Sequence, residues 1–423
     1  MHPLTFTSFL TAAILFAGPA APAQLVAKPQ LVAWSETTGP ALFQGVQLQD
    51  MEANCQPARI ACRSLLGNPL WYAGGTAYDL RHQSAWVSSG TAIHEIELGP
   101  CTVRCQFTAQ LMNSGAVVSG LAMLDGGRRL LQLETMPGYF GLRSYDATQC
   151  PPVPLRDGCA VQLGGGAVAA GLAYDPVLDL VFVAVSTPTP IDWATDVLVA
   201  RSTDKCNALC KFTLARCGPF YPRSGAVTGL GLDPCRRLLY ATNGQHTQSL
   251  DLVDPLRCAV RQVGCCPTNS AWDFKGLDVV PGWSQQPVGT SCVPWQCQPC
   301  TMKATLAGGD AVLGNPDFEV RLEQAHAGGR AVLVLAGGSC GSGQTFPFLC
   351  GPLYPTLAPA PYVSGPIPVQ GPSPCGASAV HPLPIPVDRS LCGLALCMQW
   401  VVACPGGVNA LGLSPAVHVT LGG

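Results

Sequence analysis

Charged residues are scarce in this chain. Lys, Arg, Asp and Glu make up 11% of its 423 residues, against roughly a quarter in ordinary globular proteins. The formal net charge is −2, so the chain lacks the basic excess that attracts nucleic acid or anionic lipid. We therefore expect no nucleic-acid partner.

Long apolar runs are also missing. A helix needs about 20 apolar residues to cross a bilayer, and no run in the chain is that long. The run at residues 6–17 is shorter and is followed by Ala21-Pro22-Ala23, a small-residue cleavage pattern. This pattern indicates a signal peptide over residues 1–23 rather than an uncleaved anchor. We expect an exported chain with no transmembrane segment after removal of the signal.

Motifs of catalysis are absent or incomplete. The seven histidines form no H-x-x-x-H or H-E-x-x-H pattern. The segment Gly337–Gly341 matches the G-x-S-x-G nucleophile elbow, but that elbow needs a helix immediately after it and here Gly343-Gln-Thr-Phe-Pro347 follows. A glycine-rich loop held by a disulfide at Cys340 is the favoured interpretation, so we assign no catalytic residue.

The chain does contain a repeat. Residues 170–186, AGLAYDPVLDLVFVAVS, consist of a strand, an Asp-Pro turn and a second strand rich in β-branched residues. Versions of the unit recur at spacings of 45 to 58 residues and start at Gly75, Gly120, Gly171, Gly229 and Gly276. Such spacings are typical of the four-stranded blade of a β-propeller.

The two ends of this repeat region complement each other. Residues 25–66 resemble strands two to four of a blade, and the inner strand at 275–281 has no such strands after it. We predict an all-β chain with a propeller over residues 24–282, closed by pairing its first and last strands, which removes exposed edges. Five blades are expected, with a sixth if one degenerate repeat went undetected.

Beyond the repeats the composition changes. Residues 283–300 are rich in cysteine and proline and predict a linker. Residues 301–423 contain short strands separated by Gly and Pro turns, which favours a β-sandwich domain.

Twenty-two cysteines in an exported chain predict disulfides. Near pairs that end the repeats are expected to cross-link the outer edge of each blade: Cys101 with Cys105, Cys150 with Cys159, Cys206 with Cys210, and Cys258 with Cys265 or Cys266. A zinc site at Cys297 and Cys300 is the disfavoured alternative. The remaining disulfide candidates, with no connectivity assigned, are Cys55, Cys62, Cys292, Cys340, Cys350, Cys375, Cys392, Cys397 and Cys404.

Three aspartates, Asp79, Asp175 and Asp233, end the first strand of three repeats. In lactonase-type propellers, acidic residues of several blades converge on calcium. Two of these aspartates precede proline, which favours a role in the turn, and calcium binding is the alternative. Trp193, in a proline-flanked segment of the longest repeat, is predicted to be an exposed binding residue.

Two resemblances accompany these patterns. The GLAYD hairpins resemble those of NHL and YVTN propeller repeats, although those families have six or seven blades. The carboxy-terminal segments 314–318, 384–388 and 407–413 resemble a β-domain found at the ends of secreted bacterial proteins of unknown function. The second resemblance implies an extracellular or envelope setting, and neither implies a set of catalytic residues.

The sequence thus predicts a secreted or envelope-associated, non-enzymatic binding or structural protein. Its expected partner is an extracellular or envelope protein or glycan. The alternatives are a calcium-dependent, lactonase-like hydrolase and a carbohydrate-binding extracellular protein. No cofactor is expected apart from the calcium of the first alternative.

Overall fold

The computed structural model describes most of the chain after residue 29. The described residues are 30–37, 44–50, 59–63, 73–190, 192–215, 226–244, 246–267, 272–294, 297, 299–358, 360–405 and 411–422. The expected signal peptide and Cys55 lie outside these residues, and the side chain of Cys62 is likewise not described. The chain divides into two compact units, of which the first ends at Pro281 and the second begins at Gly282.

The first unit consists of antiparallel strands. In chain order they are β1 (Gln30–Thr37), β2 (Gln44–Asp50), β3 (Arg59–Arg63), β4 (Ala73–Asp79), β5 (Ser84–Ser89), β6 (Ala92–Glu97), β7 (Val103–Thr108), β8 (Val117–Leu124), β9 (Arg129–Met136), β10 (Tyr139–Asp146), β11 (Val153–Pro154), β12 (Cys159–Gln162), β13 (Val168–Asp175), β14 (Leu180–Pro188), β15 (Trp193–Arg201), β16 (Asp204–Thr213), β17 (Gly229–Asp233), β18 (Leu238–Thr242), β19 (His246–Asp254), β20 (Ala259–Pro267) and β21 (Trp272–Val280). Short 3₁₀ turns cover Asp125–Gly127 and Pro255–Arg257.

Among the described residues these strands form five sheets, which are the blades of a propeller. Blade 1 contains β4 to β7, blade 2 β8 to β12, blade 3 β13 to β16 and blade 4 β17 to β20. Blade 5 has the order β21-β1-β2-β3, with Gln30 opposite Val280 and Thr37 opposite Trp272. The predicted closure by the first and last strands is confirmed.

The innermost strands contact one another in the cyclic order β4, β8, β13, β17, β21 and again β4. The glycines that head the repeats lie where these strands meet. A Cβ atom on Gly229 would lie 2.6 Å from the backbone nitrogen of Leu277 and 2.8 Å from the carbonyl carbon of Gly276. A Cβ atom on Gly276 would in turn lie 2.8 Å from the carbonyl carbon of Gly75. The repeat therefore starts with glycine because no side chain fits between inner strands this close together.

The hydrophobic core lies between neighbouring blades. Strand β14 is apolar at successive positions because both of its faces are buried. Its residues Leu180, Phe182 and Ala184 pack against blade 4, whereas Val181 and Val183 pack against blade 2. The sequence of a strand with two buried faces is a continuous apolar run rather than an alternation of apolar and polar residues.

Disulfides of the first unit join different blades. Cys105 of blade 1 bonds Cys150 of blade 2, Cys159 of blade 2 bonds Cys206 of blade 3, and Cys210 of blade 3 bonds Cys258 of blade 4. The predicted near pairs within each blade are therefore wrong. Two of the near pairs, Cys150 with Cys159 and Cys206 with Cys210, instead supply one cysteine to the preceding blade and one to the next. Cys101, Cys265 and Cys266 are also disulfide-bonded.

A half-buried ion pair accompanies the second of these disulfides. Lys205 Nζ lies 2.9 Å from Asp157 Oδ2, and the Lys205 side chain is 6% exposed. Asp157 also accepts a hydrogen bond from the backbone N–H of Ser144 at 3.1 Å. Burial alone would raise the pKa of Asp157, but the hydrogen bonds from Ser144 and Lys205 lower it overall. Blades 2 and 3 are thus joined by a covalent bond and a charge pair side by side.

The second unit is also built from strands. In chain order they are β22 (Ser284–Val288), β23 (Lys303–Ala307), β24 (Glu319–Ala325), β25 (Arg330–Gly337), β26 (Tyr362–Val363), β27 (Ile367–Pro368), β28 (Ala377–Pro382), β29 (Ala395–Ala403), β30 (Leu411–Leu413) and β31 (Ala416–Thr420). A short 3₁₀ turn covers Arg389–Leu391.

Two antiparallel sheets form this β-sandwich. The larger has the order β22-β31-β29-β25-β26, with β27 also on β25 and β30 also on β29, and the smaller has the order β23-β24-β28. Their inward side chains include fully buried Trp400 and Phe318. The described part of the chain contains no helix long and apolar enough to span a membrane.

Residues 283–300 differ from the predicted linker. Strand β22 pairs along its whole length with β31, from Ser284 opposite Thr420 to Val288 opposite Ala416. This segment therefore provides an edge strand of the second unit. The partner strand is 130 residues away in the sequence, so local composition carries no sign of the pairing. Disulfides of the second unit include Cys292–Cys350, Cys297–Cys404, Cys300–Cys375 and Cys340–Cys397, and Cys392 is also disulfide-bonded.

Candidate functional site

The three aspartates of the repeats lie in their own hairpin turns. Asp79 accepts a hydrogen bond from the backbone N–H of Arg81 at 2.9 Å. Asp175 accepts one from Val177 at 2.8 Å, and Asp233 accepts one from Arg236 at 2.9 Å. All three are almost fully buried. Each carboxylate thus holds the turn between the first and second strands of its blade, as the Asp-Pro pattern suggested for Asp175 and Asp233.

The aspartates do not gather around a common centre in the described part of the chain. The one group of potential metal ligands found there joins Asp79 to two residues of the same blade, His82 and Glu95. Asp79 ends β4, His82 lies in the turn before β5, and Glu95 lies in β6. We call Asp79, His82 and Glu95 the blade 1 cluster.

One imidazole nitrogen faces two carboxylates in this cluster. His82 Nδ1 lies 3.0 Å from Glu95 Oε1 and 3.2 Å from Asp79 Oδ2. The side chains of Asp79 and Glu95 are 0% and 3% exposed, and that of His82 is 26% exposed. The cluster therefore reaches solvent only through the histidine.

Hydrogen bonds and charges set the ionisation of the cluster. The hydrogen bonds to Asp79 and Glu95 raise the pKa of His82 to about 9, against the opposing effect of burial. Burial alone would raise the pKa of Asp79, but its hydrogen bond with His82 and the charges of Arg81 and His82 lower it overall. At neutral pH His82 therefore carries a positive charge beside two buried acidic side chains.

Neighbouring groups fix the carboxylates in place. Ser84 Oγ donates to Glu95 Oε1 at 2.7 Å. Arg81 lies 3.3 Å from Asp79 Oδ2 and also donates to the carbonyl oxygen of Ala147 in blade 2 at 3.0 Å. A Cβ atom on Gly127 of blade 2 would lie 2.8 Å from Asp79 Oδ1. The cluster is thus covered by blade 2 on the Asp79 side.

Blade 1 alone contains this cluster among blades 1 to 4. The strand register places Glu95 opposite Trp86, and the same position is Ser144 in blade 2, Val199 in blade 3 and Ser249 in blade 4. No periodic signal in the sequence pointed to Glu95 or His82. The one feature of the sequence that could have indicated the cluster is an acidic strand in an otherwise weakly charged chain, His94-Glu95-Ile-Glu97.

The other sequence candidates fall in structural positions. Ser339 of the G-x-S-x-G segment is exposed in a loop after β25, with no helix after it, and the neighbouring Cys340 is disulfide-bonded. Cys297 and Cys300 bond different partners, which excludes the zinc site considered for them in this oxidised state. Trp193 is partly exposed and begins β15 opposite Pro188. It thus belongs to a strand pair rather than to a loop.

Asp278 is a further unusual acid. It occupies the third position of the glycine-led strand, where the other four blades have Ala77, Ala122, Ala173 and Gly231. Its Oδ2 accepts a hydrogen bond from the backbone N–H of Tyr78 in blade 1 at 2.7 Å. Burial raises the pKa of Asp278 to about 7, while backbone hydrogen bonds from Tyr78 and Val279 act in the opposite direction. The departure from Ala or Gly in the repeat was the signal that could have revealed it.

Replacing Asp278 should therefore change the pH dependence of stability. The folded state retains a proton up to about pH 7 that the unfolded chain releases near its ordinary pKa of about 4. The wild type thus loses stability as pH rises between these values. Asp278→Asn keeps an acceptor for Tyr78 without the charge, so its melting temperature relative to wild type should increase from pH 4 to pH 7. Calorimetry at pH 4.5, 6 and 8 measures this difference.

Asp196→Asn is the control, because its stability relative to the wild type should change with pH in the direction opposite to that of Asp278→Asn. Burial disfavours the charge of Asp196, but hydrogen bonds from Lys211 and Thr213 lower its pKa overall. The Asp196 variant should therefore lose stability at neutral pH and approach the wild type at acid pH. A parallel pH response of the two variants would contradict the assignment for Asp278.

Comparisons with known proteins add no function to this description. No family model matches the chain, and no curated protein matches it either. Similar solved structures include the β-propeller domain of Cps50 (Swd1) from Myceliophteria thermophila, with 11% identity, 58% of this chain and 74% of that chain covered and a TM-score of 0.32. They also include the periplasmic gluconolactonase PpgL of Pseudomonas aeruginosa, with 10% identity, 59% and 70% covered and a TM-score of 0.35. A third is the glutaminyl cyclase of Myxococcus xanthus, with 14% identity, 49% and 70% covered and a TM-score of 0.30. At these scores the fold assignment rests on the strand pairing, and no activity is transferred to this chain.

Proposed function

We propose that this chain is a secreted or envelope-associated, non-enzymatic protein that serves as a binding or structural module. The disulfides between successive blades support this proposal most directly. They tie blades 1 to 4 together. Such bonds form and persist in oxidising compartments. They suit a scaffold that must keep its shape outside the cytoplasm.

The use of the buried acids supports a non-enzymatic role. A catalytic acid or base needs to reach a substrate. Asp175 and Asp233 instead cap turns, and Glu134 accepts hydrogen bonds from the backbone of Met112 and the hydroxyl of Tyr139. We therefore place the partner, an extracellular or envelope protein or glycan, on the outside of the scaffold and advance no catalytic site.

Export and oxidation test this proposal together. The chain is expressed with its own amino terminus, and the cytoplasmic and exported fractions are digested without reduction. We expect exported protein that yields linked peptides for Cys105–Cys150, Cys159–Cys206 and Cys210–Cys258. A chain that stays in the cytoplasm with free thiols would contradict the proposal.

An activity screen separates the scaffold from the lactonase-like alternative. The purified oxidised protein is incubated with lactones and esters in the presence of calcium and, in parallel, of a chelator. We expect no turnover in either condition. Calcium-dependent turnover that is lost in Asp175→Asn would contradict the non-enzymatic assignment.

A further inference from the structure

We propose that the blade 1 cluster binds a divalent metal ion of the zinc class through Asp79 Oδ2, His82 Nδ1 and Glu95 Oε1. These three atoms lie within 4.8 Å of one another. The inference goes beyond the proposed function, because a binding scaffold requires no metal. It also differs from the calcium site considered for the aspartates of three blades, since all its ligands belong to one blade.

The donor spacing fits a small ion. Zinc binds nitrogen and oxygen ligands at about 2.0–2.1 Å in a tetrahedron, so neighbouring donor atoms lie about 3.3 Å apart. The two contacts of His82 Nδ1 measure 3.0 Å and 3.2 Å. Small movements of the histidine would let an ion enter between the three atoms in exchange for the proton on His82 Nδ1, with no change in the strands that carry the carboxylates.

The donor set selects the class of ion. Calcium takes six to eight oxygen ligands, and this cluster offers two carboxylates and one imidazole. One nitrogen with two carboxylate oxygens suits zinc and its neighbours in the transition series. The partly exposed His82 leaves a path for the ion and a position for a water molecule as fourth ligand.

One hydrogen-bond donor of the cluster serves two acceptors. His82 Nδ1 carries at most one proton and yet faces two carboxylates, so a single N–H is shared between two acceptors. An ion of charge +2 would instead contact both carboxylates directly. Two arginines are the competing cations: Arg104 is 3.7 Å from Glu95 Oε1 with its side chain 44% exposed, and Arg81 lies 3.3 Å from Asp79 Oδ2 but has the carbonyl oxygen of Ala147 as a second acceptor.

Zinc titration of the purified oxidised chain tests the proposal. Isothermal titration calorimetry should show one zinc ion per chain. Ligand substitution should weaken binding more than the 10- to 100-fold loss that is typical of changes around a metal ligand. The variants are His82→Gln and Glu95→Gln, and the second retains an acceptor for Ser84 Oγ.

Two matched variants control for unspecific effects. Asp175→Asn removes the aspartate at the equivalent turn position of blade 3, which has no histidine or glutamate beside it. His326→Gln removes a histidine of the other unit. Both should bind zinc within about twofold of the wild type. Equal loss in the cluster variants and the control variants would overturn the assignment.

Anomalous diffraction from zinc-soaked crystals of the wild type gives an answer that does not depend on variant stability. A peak bonded to Asp79, His82 and Glu95 is expected. The proposal is overturned if the wild type takes up no stoichiometric zinc, or if the zinc peak lies at other residues. Neither of these outcomes bears on export or on the disulfides, so the scaffold proposal is tested separately.

Discussion

The double variant Cys159→Ala/Cys206→Ala is expected to lower the free energy of unfolding of the propeller by about 4 kcal/mol. The bond between these cysteines spans 47 residues. A crosslink of this span removes about 4 kcal/mol of chain entropy from the unfolded state at 25 °C. For a unit of this size the melting temperature should fall by about 10 °C. Calorimetry of the oxidised variant beside the oxidised wild type measures the change.

The single variant Cys206→Ala distinguishes the connectivity independently of stability. If Cys206 bonds Cys159, alkylation without reduction labels Cys159 in this variant. If the near pair in the sequence were the real pair, Cys210 would be labelled instead. Labelled Cys210, or a double variant within about 1 kcal/mol of the wild type, would show that blades 2 and 3 are not joined in this way.

The difference between near pairs and inter-blade bonds shows what the sequence could not convey. Cys206 and Cys210 both lie in β16, the outer strand of blade 3. Their spacing indicates that they share a strand, but it does not tell which neighbouring blade each one faces. That choice depends on the packing of whole blades. The sequence could predict that these cysteines form disulfides, but it could not predict their partners.

Blade number and closure could be predicted because their cause is local and repeated. Four of the five repeats start with a glycine that passes the next inner strand at backbone distance, and a Cβ atom on the fifth, Gly120, would meet the Cβ of Leu172 at 2.9 Å. The continuous apolar run of β14 follows from its two buried faces. Repeats of this kind appear in a single sequence because every blade faces the same packing constraint.

The blade 1 cluster escaped prediction for the opposite reason. It occurs once among the first four blades, and its residues come from a turn and from a strand whose charged residues at 94–97 are typical of a solvated face. Glu95 is in fact buried and paired with His82. A single-copy site carries no periodicity, so only the three-dimensional register brings its members together. Strand β22 is a similar case, since its partner β31 lies near the other end of the unit.

The substitution Gly229→Ala tests the closed ring of inner strands. Glycine to alanine normally stabilises a protein by about 0.4–1 kcal/mol when the backbone permits it. At Gly229 the new methyl group would meet the backbone of β21 at 2.6 Å and 2.8 Å. Backbone cannot rotate away as a side chain can, and overpacking costs about 1–3 kcal/mol or more. We expect a loss of about 3 kcal/mol.

Gly99→Ala provides the matched control, because a Cβ atom there has no neighbour within 4 Å. Urea denaturation of both variants should show Gly99→Ala at or above the stability of the wild type and Gly229→Ala well below it. If both variants matched the wild type, blades 4 and 5 would not approach at backbone distance. The ring would then be open at that point, and the glycine at the head of each repeat would need a different explanation.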